Sequence, residues 1–258
     1  MTVALEHTWF MLARHVRNLA RQPVWIVILL VQPFFWLLLY SQLFRRITDL
    51  PGFGTDSYIQ FITPGIVVMT AFFTGSWNGM SMINDLERGV IERFLATPAA
   101  RSALVLGHVA QCALTACIQT LIILGIAYAM GARVNGGVVG WLVILLVAAL
   151  VAALFAAMSQ GIALFARREE TMIAVSNFIG LPLLFLSSSL IARNLMPDWM
   201  AWAARFNPVE WGVVAARETV MPQTDWGSVA LNLGLLALFT AALSAFATWS
   251  FRAYRRTL

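Results

Sequence analysis

Lysine is missing altogether: all 17 basic residues are arginine. That excludes a Walker A loop, a Schiff-base lysine and a lysine general base in this chain. Charge is scarce too, at 11% of the 258 residues against 60% apolar, where a soluble domain carries about 25% charged residues. An ordinary soluble enzyme, a disordered chain and a secreted disulfide scaffold are excluded. Cysteine is nearly absent. Cys112 and Cys117 lie in one apolar run, and on a helix that spacing turns them about 140° apart and about 7.5 Å along the axis, so they cannot bond to each other. Neither has metal-ligand company, and both are expected as buried free thiols. The N-terminal stretch carries Glu6, His7, Arg14, His15, Arg17 and Arg21 without an apolar core, so no cleavable signal peptide is expected.

Long apolar runs are what the chain has instead. Six reach the roughly 20 residues needed to cross about 30 Å of hydrocarbon: 24–44, 60–83, 103–130, 138–165, 171–192 and 229–251. The predicted fold is an all-α integral membrane protein, one transmembrane domain over 1–258 with six transmembrane helices. With both ends in the cytoplasm, the inside segments hold Arg14, Arg17, Arg21, Arg88, Arg93, Arg101, Arg167, Arg168, Arg252, Arg255 and Arg256. The outside segments hold Arg45, Arg46, Arg133, Arg193, Arg205 and Arg217, and the acids divide evenly. The positive-inside rule therefore places both termini in the cytoplasm.

Other segments have recognisable roles. Residues 4–21 read as a helix lying on the membrane, with Arg14, Arg17, Asn18 and Arg21 on one face and Trp9, Leu12, Val16 and Leu19 on another; a solvated tail is the alternative. Ala149, Ala153, Ala157 and Gly161 place small residues at every fourth position of the fourth span, which lets another helix approach closely, unless the stripe merely reflects an alanine-rich chain. The connection 193–228 holds Trp199, Trp202, Trp211 and Trp226, with helices expected to start near Pro197 and Pro208. Short outer helices dipping into the bilayer and a plain loop both fit.

The most informative stretch follows the second span. Val90, Ile91, Phe94 and Leu95 give one apolar face, ringed by Glu87, Arg88, Glu92 and Arg93, and Pro98 ends the turn. A helix over 86–96 of this kind suits a groove on another protein. Its mixed charge argues against lipid as the only partner.

Glu87-Arg88-Gly89-x-x-Glu92-Arg93-x-x-x-Thr97-Pro98, continuing into Leu106-Gly107, resembles the signature of the membrane subunit of type-2 ABC exporters, in particular the daunorubicin-resistance and lipooligosaccharide-export permeases. A second block, Phe206-Asn207-Pro208-Val209 through Ala215-Ala216-Arg217, is similar to the family's Asn-Pro motif before the last span. The likeness covers essentially the whole chain. It departs at His108, where such permeases carry lysine or arginine, and at Glu210, where a small or hydroxyl residue is commoner.

The resemblance implies a permease subunit that is not itself an enzyme. ATP and Mg would sit on a separate ABC ATPase subunit, whose cleft would seat the coupling helix through Glu87, Arg88, Gly89, Glu92, Arg93, Phe94 and Pro98. It implies pairing with a second permease subunit, identical or not, in a bacterial plasma membrane, with lipid but no nucleic acid as a further partner. The implied cargo path runs along spans one, two and five. On span two Met69, Phe73 and Trp77 share a face; on span five Phe178, Pro182 and Phe185 align, with Asn177 beside them. Such surfaces suit an apolar or amphipathic cargo; plain packing is the alternative for each residue. Glycan export would want polar rungs along the path, and none is evident in the sequence. A membrane-embedded enzyme would want paired ionisable groups in the spans, and His108 stands alone. A non-transporting structural protein would not need the charged pattern at 85–98.

Overall fold

A computed structural model describes residues 23–44, 57–88, 101–166 and 168–254. Their regular structure is helical throughout, with no strand among the described residues. Apolar chain in lipid has no water to satisfy its peptide groups, and the helix satisfies them within one segment. The elements are α1 (Pro23–Leu43), α2 (Tyr58–Ser76), α3 (Asn78–Glu87), α4 (Arg101–Ala129), α5 (Gly137–Ala166), α6 (Glu169–Phe185), α7 (Asp198–Ala204), α8 (Pro208–Glu218) and α9 (Trp226–Tyr254). Four stretches among the described residues are long and apolar enough to cross a membrane: Tyr58–Asp85, Leu106–Ala129, Gly137–Leu164 and Trp226–Ser250. The proposed surface helix 4–21 and most of the proposed coupling helix, including Gly89, Glu92, Arg93, Phe94 and Pro98, lie outside the described residues.

α5 is the hub. Ile144, Val147, Ala148, Val151, Ala152, Ala156 and Ala157 are fully buried, and the helix packs against α2, α4 and α9, then α3 and α8. Small side chains make this possible. A Cβ added at Gly75 of α2 would lie 2.6 Å from the Ala152 carbonyl oxygen. In the stripe read from the sequence, Ala153, Ala157 and Gly161 are buried and Ala149 is half-buried. Gly161 lies against Phe246 and Ala247 of α9.

The helical legs alternate in direction. The ring of Phe44 lies 5.8 Å from that of Tyr58, joining the end of α1 to the start of α2. Gly131 and Gly137, with φ of 103° and 60°, turn the chain from α4 into α5, where only glycine is unstrained. Gly136 N–H donates to Thr219 O (2.8 Å), bringing α8 to that same end. At the opposite end Asn84 Nδ2 donates to Glu169 Oε1 (3.1 Å), and His108 Nε2 lies 3.4 Å from Asp85 Oδ2.

Two of the runs read from the sequence differ in form. The run 60–83 is not one helix: it breaks at Trp77 into α2 and α3, where Met80 N–H turns back to Trp77 O (3.2 Å). Carbonyls around the break receive side-chain donors from three neighbours: Cys112 Sγ to Thr74 O (3.3 Å), Ser159 Oγ to Gly75 O (3.0 Å) and Ser176 Oγ to Ser76 O (3.3 Å). The run 171–192 ends as a helix at Phe185. Beyond it, Leu186–Ala192 turns without a helix, held by polar side chains a hydropathy pattern cannot reveal. Cys112 and Cys117 are free thiols, but only Cys112 is buried as expected; Cys117 is half-buried.

Candidate functional site

A cleft of about 450 Å³ opens between α1, the α2–α3 pair and α4. Trp36 and Pro33 of α1 form one apolar wall, and Met69, Phe73 and Trp77 the other. Trp36 is held by stacking on Tyr40, with ring centroids 4.7 Å apart. Three residues singled out from the sequence thus come together: Met69 is buried, Phe73 half-buried, and Trp77, at the break, is 48% exposed. Asn177, Phe178 and Phe185 do not join them. They lie on α6 away from this cleft and are exposed, Phe178 at 82%.

Sequence reasoning missed the polar side of the cleft. Thr70, Thr74, Asn78 and Ser81 all line it, and their spacing of four, four and three is that of one helix face. The periodicity was there to be seen beside the aromatic one. Gln32 and Gln119, single amides inside apolar runs, complete the lining. Thr74 Oγ1 shares its single hydrogen between Thr70 O (2.9 Å) and Gln119 Oε1 (2.8 Å). Gln160 of α5 donates to Asn78 Oδ1 (2.7 Å). Ser81 Oγ donates to Asn78 O (2.6 Å) and sits 3.3 Å from His108 Nδ1. His108, a departure from the family pattern, therefore ties α4 to both Ser81 and Asp85 of α3. Below the cleft α3 ends at Glu87, and Glu87 and Arg88 are both exposed there.

The Asn-Pro block does a different job. Pro208 takes the first turn of α8, and Asn207 caps it, its Oδ1 accepting from Val209 N–H (2.9 Å). The Asn207 amide also donates to Leu183 O (2.6 Å) and Leu186 O (2.8 Å). One side chain thus starts α8 and closes α6. Arg217, at the other end of α8, donates to Ser188 Oγ (2.9 Å) and Ser188 O (2.6 Å). Glu210 Oε2 accepts from Ser188 N–H (2.5 Å). The Arg217 guanidinium also stacks 3.9 Å over the Phe61 ring. Burial pushes Arg217 down to about 10, against the nearby Glu210 charge, which raises it; it remains a cation at neutral pH. Glu210, the second departure, is 1% exposed. It serves as the counter-charge of a brace around the turn at Ser188.

Among the described residues no group of three or more His, Cys, Asp or Glu could hold a metal ion.

Described residues whose regular structure is helical throughout, with four apolar stretches of membrane-crossing length, packed round a cleft that they line with uncharged side chains, define a multi-pass membrane protein. Its sequence matches the family model for ABC-2 type transporters over residues 6–221, and the chain belongs to that family. It is 27% identical over 258 residues to the daunorubicin resistance ABC transporter permease protein DrrB1 of Streptomyces coeruleorubidus, covering 99% of this chain and 87% of that one. It is 30% identical over 211 residues to the putative transport permease ycf38 of Porphyra purpurea, covering 80% and 70%. The inner membrane transport permease YadH of Escherichia coli K12 is 25% identical over 246 residues, covering 93% and 91%.

Proposed function

We propose that this chain is the membrane subunit of an ATP-driven exporter of apolar or amphipathic compounds, hydrolysing no ATP itself. The observation that carries the reading is the cleft: aromatic, uncharged and large enough for a drug-sized ligand. Family membership and the likeness to a permease named for daunorubicin resistance support an exported drug-like cargo. In this reading α1 and α6 join the four long apolar stretches to make six spans, both termini face the cytoplasm of a bacterium, and α7 and α8 lie on the outer side. A separate ABC ATPase binds ATP and Mg and grips residues 86–98 through Glu87, Arg88, Gly89, Glu92, Arg93, Phe94 and Pro98. Closure of two ATPase subunits pulls on α3, which leads directly from that segment to the cleft, and alternates access to it. Two permease subunits work together, with the exposed Phe178 and Phe185 face of α6 toward the partner copy.

Purification from native membranes in mild detergent tests the assembly. A Walker A ATPase should co-purify in equal stoichiometry; its absence after mild crosslinking would remove the exporter reading.

A further inference from the structure

The cleft is amphipathic: aromatic side chains of α1 and α2 line it beside a row of neutral hydrogen-bonding groups along α2 and α3. This row crosses the break at Trp77, with Thr70 and Thr74 on α2 and Asn78 and Ser81 on α3. Part of its capacity is used internally. Thr74 is committed to Thr70 O and Gln119 Oε1, Ser81 to Asn78 O and His108, and the Asn78 oxygen to Gln160. The Thr70 hydroxyl and the amide nitrogens of Asn78 and Gln119 have no hydrogen-bond partner among the described residues. Gln119 is the telling case, because it is only 3% exposed and yet lines the cleft. Gln119 thus offers the cleft an amide nitrogen that a molecule entering it can bond.

Among the described residues no ionised side chain lines the space. The carboxylate next along α3, Asp85, is engaged by His108. A charged ligand would lose its hydration with nothing to replace it, whereas a hydroxyl or amide would exchange water for Thr70, Asn78 and Gln119. Ring faces and alkyl chains would lie against Trp36, Phe73 and Trp77.

We propose that this cleft selects neutral amphipaths bearing hydroxyl or amide groups over charged ones, reading the polar part along Thr70, Asn78 and Gln119 and the apolar part on Trp36, Phe73 and Trp77. The proposal rests on the cargo-site reading above, but its binding test needs no ATPase. Three photoreactive probes share one octyl chain and differ in head group: glucoside, trimethylammonium and sulfate. Each is crosslinked to the permease in lipid nanodiscs without nucleotide, and the labelled positions are mapped by peptide mass spectrometry.

The glucoside should label α1 and α2 saturably, at about tenfold lower concentration than either charged probe. Thr70→Val and Gln119→Leu should each weaken that labelling about three- to tenfold, the value of one hydrogen bond. Gln119→Glu should move the preference to the ammonium probe. Thr70 is only half-buried, so T70V keeps the test open if a Gln119 variant fails to fold. Equal labelling by all three probes, labelling that follows the lipid-facing side of α9, or an unchanged T70V would overturn the proposal. Adding the partner ATPase separates the two readings. Turnover stimulated equally by all three probes keeps the exporter and removes the selectivity. Selective binding without any stimulation keeps the selectivity and removes the exporter.

Discussion

At Gly65 a Cβ would sit 1.9 Å from the Ser189 backbone oxygen, while at Gly125 it would meet nothing within 4 Å. Gly65→Ala must push the α2 backbone off the turn after α6, so it should lower the melting midpoint of the detergent-purified protein by several degrees; Gly125→Ala should leave it unchanged or raise it slightly. Arg217 is the other residue on which that turn depends. Arg217→Ala removes both donors to Ser188 and leaves its carbonyl unpaired in a buried turn, a loss of about 1–3 kcal/mol. Arg217→Lys restores the charge without the two-pronged grip on Ser188 and should recover only part of it. Thermal unfolding of both variants at equal detergent checks the order. At this scale the sequence was partly legible. Asn207 before Pro208 announces a helix start from the local chemistry of one cap. Nothing local marks Gly65 or Glu210, because their neighbours come from distant parts of the chain.

The helices themselves were legible because 3.6-residue apolar runs of membrane length have few alternatives, and four of the six runs coincide with a single helix to within a few residues. What hydropathy could not see was interruption. Trp77 breaks an apolar run without a proline, and the break persists because Cys112, Ser159 and Ser176 donate to the carbonyls around it. The helix after Glu169 stops at Phe185 although the run goes on, because Asn207 takes its last carbonyls. Ser159→Ala should therefore destabilise the α2–α5 contact by about 0.6–1.7 kcal/mol, the range for a hydrogen bond between helices in a membrane. Ser159 and its acceptor Gly75 are both buried, so the loss should show in unfolding rather than in surface labelling. The segment after α3 carries a different expectation. Glu92→Arg with Arg93→Glu should abolish co-purification of an ATPase while leaving membrane insertion intact; normal assembly would place the interface elsewhere.

Across the whole molecule, the 60% apolar composition already required a membrane protein, and the charged block after the second span pointed to a partner. The cleft was half legible. The shared face of Met69, Phe73 and Trp77 follows from their spacing, and all three line it, whereas Phe178 and Phe185 share that kind of spacing yet lie on the exposed side of α6. Periodicity reports a shared face but not which way the face points. Trp77→Ala should accordingly change which compounds stimulate ATP turnover, and Phe178→Ala should weaken the association of two permease subunits with that preference kept; substrate profiles and native mass spectrometry of the two variants separate these effects. In the proposed function this chain moves an amphipathic compound only when an ATPase drives it. The direct measurement is uptake of a radiolabelled neutral amphipath into inside-out vesicles holding the permease with its co-purified ATPase. Accumulation should require ATP and be reduced by Gln119→Leu. Equal uptake without ATP, or ATP-driven uptake indifferent to the cleft, would contradict the proposed function.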